Sequence, residues 1–125
     1  MKGKANKLFE HAVKKLNEAN AELFRPEEDI VSFVVCKNSQ FAVESFLKGF
    51  LLQNEIDPTP YKTIDDLYDQ CKAINKNFEK IKLTDFECKS HSLDSRYCNE
   101  VSKVRNCFEQ ADNLDTFLRK EKIIS

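Results

Sequence analysis

Residues 31–54 read VSFVVCKNSQFAVESFLKGFLLQN, and this stretch is the most informative about the fold. In a helix of 3.6 residues per turn, one side of this stretch is apolar. That side carries Val31, Val35, Ala42, Phe46, Gly49 and Phe50. Pro26 upstream suits the first position of a helix, and the three acidic residues that follow it suit the positive helix N-terminus. The pattern predicts one long helix from about Pro26 to Asn54.

The same helix has a second apolar side. It carries Ile30, Phe33, Val34 and Phe41, spaced among charged residues. A helix that is apolar on two sides has two packing partners. One interpretation makes this second side the interface of a homodimer. The other makes the helix a central one, packed on both sides by its own chain, and the sequence leaves both interpretations open.

Three further segments have the spacing of amphipathic helices. The first runs from about Ala5 to Leu23 and ends before Pro26, because the residue preceding proline avoids the helical region. The second follows an N-cap at Thr63, and its expected buried stripe is Ile64, Leu67, Cys71, Ile74 and Phe78. The last follows a cap at Ser102, and its expected stripe is Val104, Cys107, Phe108, Ala111, Leu114 and Leu118.

A short helix or turn headed by Thr84 and Glu87 completes the set, since this pair has the spacing of a capping box. The chain has only 2 Gly and 3 Pro in 125 residues, too few for the turns of a sheet-rich domain. The sequence therefore predicts an all-α up-and-down bundle of four or five helices, formed by a single domain over residues 1–125.

The charge balance and the cysteines exclude several classes of function. Twenty basic residues against 21 acidic ones give no strong signal for nucleic-acid binding. The most apolar run, residues 46–52, is too short for a membrane span and is broken by Lys48 and Gly49. Five cysteines without a CxxC pair, and no apolar segment after the N-terminus, indicate reduced thiols and a cytoplasmic protein.

Neither a metal site nor a catalytic site has a clear signature. Four potential zinc ligands exist, namely Cys88, His91, Cys98 and Cys107, but only the first two are closely spaced. Cys107 also belongs to a predicted core stripe. The other histidine of the chain, His11, lies among charged residues of the first helix and is expected to face solvent. We therefore assign no metal, no cofactor and no catalytic residue from the sequence.

Three motifs occur in a recognisable order. They are Ala42-Val43-Glu44-Ser45-Phe46-Leu47-Lys48, then Pro60-Tyr61-Lys62-Thr63-Ile64-Asp65-Asp66-Leu67, then Ser95-Arg96-Tyr97. Together they resemble the HEPN domain family (higher eukaryotes and prokaryotes nucleotide-binding). The chain departs from the family pattern at Ile64, where histidine is frequent, and at Cys98, where proline usually follows Arg-Tyr. The resemblance implies a HEPN-like helical bundle that forms homodimers and binds a nucleotide or a partner, often a minimal nucleotidyltransferase.

The ribonuclease branch of that family carries an arginine and a histidine separated by four to six residues. Here Arg105 is followed by Gln110 at the corresponding spacing, and no histidine occurs after His91. Glutamine cannot act as a general base near neutral pH. The sequence thus predicts a non-catalytic accessory domain. The alternatives are a divergent HEPN ribonuclease acting as the toxin of a toxin–antitoxin pair, and a helical adaptor without a ligand.

The candidate ligand-binding residues are Lys62, Arg96, Tyr97 and Arg105. Guanidinium groups bind phosphate in a two-pronged geometry, which gives the arginines their interest. A purely structural interpretation is also open, in which Arg96 pairs with Asp94 and the ring of Tyr97 packs on the bundle.

Overall fold

The computed structural model describes residues 2–25, 32–61, 63–81 and 101–124. Every regular element in these ranges is helical: α1 (Lys2–Leu23), α2 (Ser32–Gln53), α3 (Ile64–Ile74), a 3-10 helix (Lys76–Lys80) and α4 (Val101–Lys120). The predicted all-α class is confirmed. The segment around Thr84 and Glu87, predicted as a short helix or turn, lies outside the described residues.

Helix α2 is the centre of the bundle, because it packs against α1, α3 and α4. Its buried apolar residues are Val35, Ala42, Val43, Phe46, Leu47, Phe50 and Leu51. The C-terminal ends of α2 and α4 lie together, since the amide of Gln53 donates to the carbonyl of Ile123 at 3.2 Å. Helix α2 thus contacts three helices of its own chain, whereas Phe41 on its second apolar side is 40% exposed, so the homodimer interface on that side stays a prediction.

Helix α1 approaches α2 closely through small residues. Ala5, Ala12 and Ala19 recur at every seventh position and are almost completely buried. On the other helix Gly49 faces the ring of Phe9, and a Cβ at Gly49 would lie 2.7 Å from the Cε1 of that ring. Gly49 therefore allows the two helices to lie close together.

Helix α3 begins as predicted and ends earlier than predicted. The Thr63 hydroxyl accepts a hydrogen bond from the amide of Asp66 at 3.1 Å, which is an N-cap. Asn75 then adopts extended backbone angles and stops the helix. As a result Ile74, expected in the buried stripe, is 38% exposed. Phe78 is fully buried as expected, but it comes from the 3-10 helix and not from α3.

Helix α4 also departs from the prediction at its start. It begins at Val101, so Ser102 lies inside the first turn instead of forming the cap. Three predicted stripe residues are fully buried, namely Ala111, Leu114 and Leu118, and Phe108 is half-buried. The side chains of Val104 and Cys107 lie outside the described part of the chain. Phe117, which the stripe did not include, is buried and packs edge-on against Phe78 with ring centroids 4.9 Å apart.

Cys71 is a core residue, as predicted. Its thiol is fully buried and contacts the carbonyl of Leu47 at 3.7 Å. Burial raises the pKa of Cys71 to about 12, so the thiol stays protonated at neutral pH. A protonated, buried thiol is a poor nucleophile, which makes Cys71 a packing residue.

None of the helices within the described residues is both long enough and apolar enough to cross a membrane.

Candidate functional site

A groove lies where the C-terminal end of α1 meets the N-terminal half of α4. Its volume is about 210 Å³, and it is lined by Asn20, Leu23, Phe24, Arg105, Phe108 and Glu109. Phe24 is the most exposed large apolar residue reported for the described chain, with 81% of its surface accessible. The groove thus combines exposed aromatic surface with polar groups that can donate or accept hydrogen bonds.

Arg105 is the cationic group of this groove. Its side chain is exposed, and no ion pair or hydrogen bond engages it in the part of the chain that the structure describes. Glu109 lies one turn further along α4, at a spacing that often gives an ion pair. No such pair forms within the described residues, so the guanidinium is available to an external anion.

The polar residues of the groove suit a nucleotide. A guanidinium binds phosphate oxygens through parallel N–H donors. A carboxylate such as Glu109 can accept hydrogen bonds from ribose hydroxyls. The Phe24 and Phe108 rings offer faces on which a base can stack. Since ligand pockets usually measure ~300–1,000 Å³, this groove encloses only part of a nucleotide.

Gln110 lies outside this groove. Its amide oxygen Oε1 is buried and finds no hydrogen-bond partner in the part of the chain that is described. The exposed Arg105 and the buried oxygen of Gln110 are therefore not brought together in one site on α4.

The other predicted ligand-binding residues are not described. Lys62, Arg96 and Tyr97 all lie outside the described residues, so their convergence with Arg105 stays a prediction. The same holds for the pairing of Arg96 with Asp94. Of the four possible zinc ligands, Cys88, His91 and Cys98 also lie outside the described residues, as does the side chain of Cys107. His11 is exposed on α1, as expected.

The predicted dimer interface is described at two positions. Phe41 is 40% exposed, and the ammonium of Lys37 lies 5.8 Å from the centre of its ring. Val34, on the same side of α2, is half-buried. Ile30 and the side chain of Phe33 lie outside the described residues. Among the described residues, Val34, Lys37 and Phe41 define an outer stripe of α2 that is at least partly accessible.

The sequence interpretation missed the aromatic walls of the groove. Phe24 follows Leu23 at the end of α1 and lies off the buried stripe of that helix. An aromatic residue off the stripe was the one sequence signal that could have identified it as part of a site. Phe108 was assigned to the core stripe of α4, where it is half-buried and also lines the groove. The two rings come together through the packing of α1 on α4, which local sequence patterns do not encode.

The fold is an all-helical bundle with a small cleft between its first and last helices. The family model of the HEPN domain matches residues 5–122, nearly the whole chain. The chain therefore belongs to the HEPN domain family. Comparisons with curated proteins and with solved structures found no match.

Proposed function

We propose that this chain is a non-catalytic HEPN accessory domain that binds a nucleotide in the Arg105 groove. The observation that carries the proposal is an exposed arginine, without an ion pair or hydrogen bond among the described residues, beside the strongly exposed ring of Phe24. Membership of a family associated with nucleotide binding and ribonuclease activity supports the same ligand class. Arg105 would hold a phosphate, Phe24 and Phe108 would flank the base, and Glu109 would accept from the ribose.

The test is calorimetric titration of the protein with AMP and ATP. We expect Arg105→Ala to weaken binding at least tenfold, since a charge-assisted hydrogen bond contributes ~1.5–3 kcal/mol. Phe24→Ala should weaken binding to a similar degree through the loss of base stacking, worth ~1–3 kcal/mol. Arg119→Ala is the control, because it removes an equal charge at the other end of α4. Absence of binding, or an equal loss in the control, would contradict the proposal.

The absence of catalysis rests on Gln110. It stands at the family's histidine position and cannot transfer a proton near neutral pH. We expect the protein to show no RNA cleavage that depends on an arginine. The measurement compares the wild type with Arg105→Ala and Arg96→Ala, with the fold checked by circular dichroism. Cleavage that disappears in either folded variant would establish the alternative, a divergent ribonuclease or toxin.

The partner-binding part of the proposal is a homodimer formed through the outer stripe of α2. The exposed fraction of Phe41 supports it, because an accessible aromatic ring on a central helix is a suitable anchor for a second subunit. A minimal nucleotidyltransferase, implied by the family resemblance, is the proposed second partner. A gene for such an enzyme beside this one would favour a toxin–antitoxin setting, and an isolated gene would favour the accessory or adaptor role.

A further inference from the structure

A second pocket lies at the opposite end of the central helix from the Arg105 groove. It has a volume of about 390 Å³ and is lined by Lys48, Pro58, Thr59 and Tyr61. Lys48 is the last residue of the first HEPN-like motif, which lies on α2. Tyr61 belongs to the second motif and lies just before α3. The fold therefore brings two separate motifs into one pocket, and the nucleotide-binding proposal uses neither residue.

Lys48 has no internal counter-ion among the described residues. Glu44 precedes it by one turn on α2, which is the favourable order for an ion pair. The structure nevertheless shows no contact between the two groups within ion-pair distance in the ranges it describes. Lys48 is half-buried as a residue and lines the pocket, so its ammonium is placed to meet an external anion there.

The acidic residue nearest in sequence to the pocket wall is already engaged. Asp57 accepts hydrogen bonds from the Thr59 hydroxyl at 2.6 Å and from the Thr59 amide at 3.0 Å. Both hydrogen bonds lower the pKa of Asp57, and the bond from the Thr59 hydroxyl has the larger effect. Because its carboxylate is turned to Thr59, it shapes the loop and is not bound to Lys48.

The remaining walls offer one more donor and an apolar surface. The amide of Tyr61 donates to the carbonyl of Pro58 at 3.0 Å, which folds the loop into a turn and fixes both rings at the pocket. The phenol hydroxyl of Tyr61 makes no hydrogen bond to any residue in the described ranges. A pocket of this volume is larger than a bare phosphate and falls within the range of small-molecule sites, ~300–1,000 Å³.

We infer that this pocket binds a small organic anion, whose phosphate or carboxylate is held by the Lys48 ammonium and the Tyr61 hydroxyl. The body of the ligand packs on the rings of Pro58 and Tyr61. The site is distinct from the Arg105 groove, so that either can be lost without the other.

The experiment is a titration of the labelled full chain followed by amide chemical shifts in two-dimensional NMR. The probes are phenyl phosphate and benzoate, which share a ring and differ in the anionic group, with neutral benzyl alcohol as the uncharged comparison. We expect shifts concentrated at Lys48, Thr59 and Tyr61. Saturation by either anion supports the site, and the tighter of the two identifies the headgroup. Benzyl alcohol binding as tightly as both anions would contradict it.

Single substitutions test which side chains of the pocket contact the bound anion. Lys48→Met keeps the length of the side chain and should weaken binding by about tenfold or more, as expected for a charge-assisted contact. Lys48→Gln serves the same purpose if the methionine variant does not fold. Tyr61→Phe should weaken binding about threefold. Lys14→Met on α1 and Arg105→Ala should leave it unchanged. Unaltered affinity in both Lys48 variants, or equal loss in Lys14→Met, would overturn the assignment.

Discussion

Gly49 shows how one missing methyl group sets the distance between two helices. Glycine inside a helix ordinarily costs ~1 kcal/mol relative to alanine. Here the position is buried, and the ring of Phe9, itself buried, occupies the space where a Cβ would stand. The close packing of α1 on α2 therefore outweighs the intrinsic preference of the helix for alanine.

Gly49→Ala should accordingly destabilise the protein. Overpacking costs ~1–3 kcal/mol, and the gain in helix propensity recovers ~1 kcal/mol of it. We expect a net loss of about 1 kcal/mol in the free energy of unfolding, measured by urea denaturation. Gly3→Ala is the matched control, because no atom lies within 4 Å of a Cβ at that position. A Gly49→Ala variant as stable as the control would show that Phe9 moves aside without cost.

Tyr68 ties helix α3 to the 3-10 helix that follows it. Its buried hydroxyl contacts two carbonyls, donating to that of Phe78 at 2.9 Å and also reaching that of Ile81. This arrangement anchors the segment that carries Phe78, whose ring lies between those of Phe50 and Phe117. Burial, with Glu79 and Asp69 nearby, raises the pKa of Tyr68, which keeps the hydroxyl protonated as a donor.

Tyr68→Phe should lower the free energy of unfolding by about 1–3 kcal/mol, because the buried hydroxyl that contacts the carbonyls of Phe78 and Ile81 is lost, while the Phe78 carbonyl keeps the Ile81 amide as a donor. Thermal unfolding followed by circular dichroism measures the change. Tyr61→Phe is the matched comparison, since its hydroxyl has no partner among the described residues, and we expect a change within ~0.5 kcal/mol. Equal effects of the two substitutions would mean that the hydroxyl of Tyr68 contributes nothing specific.

The bounds and buried faces of the helices were predictable where local sequence signals set them. They were less predictable where contacts between distant parts of the chain set them. Thr63 was identified as a cap because its hydroxyl acts within one turn. The stripe of α3 was extended too far at Ile74, because the stop at Asn75 is a backbone conformation with no proline or glycine to announce it. At the site, Arg105 was identified by motif, whereas Phe24 became relevant only through contact between distant helices.

The whole molecule is organised around α2, whose ends serve different sites. The Arg105 groove lies between the end of α1 and the start of α4, and the Lys48 pocket lies beside the loop that leads into α3. The outer stripe of α2 shares no residue with either site, so a second subunit placed on it would use the residues of neither.

We expect the protein to be a homodimer, and sedimentation equilibrium at micromolar concentration should give twice the 14.5 kDa chain mass. Phe41→Glu should shift the equilibrium to the monomer, because it places a charge at the centre of the apolar contact. Ile74→Glu is the matched control: it makes the same change at an apolar residue of α3 that is 38% exposed, against 40% for Phe41. A wild-type monomer would rule out the dimer, and a dimer weakened equally by both substitutions would place the interface elsewhere. Dissociation by Phe41→Glu alone would establish that the accessible side of the central helix joins two copies of the chain.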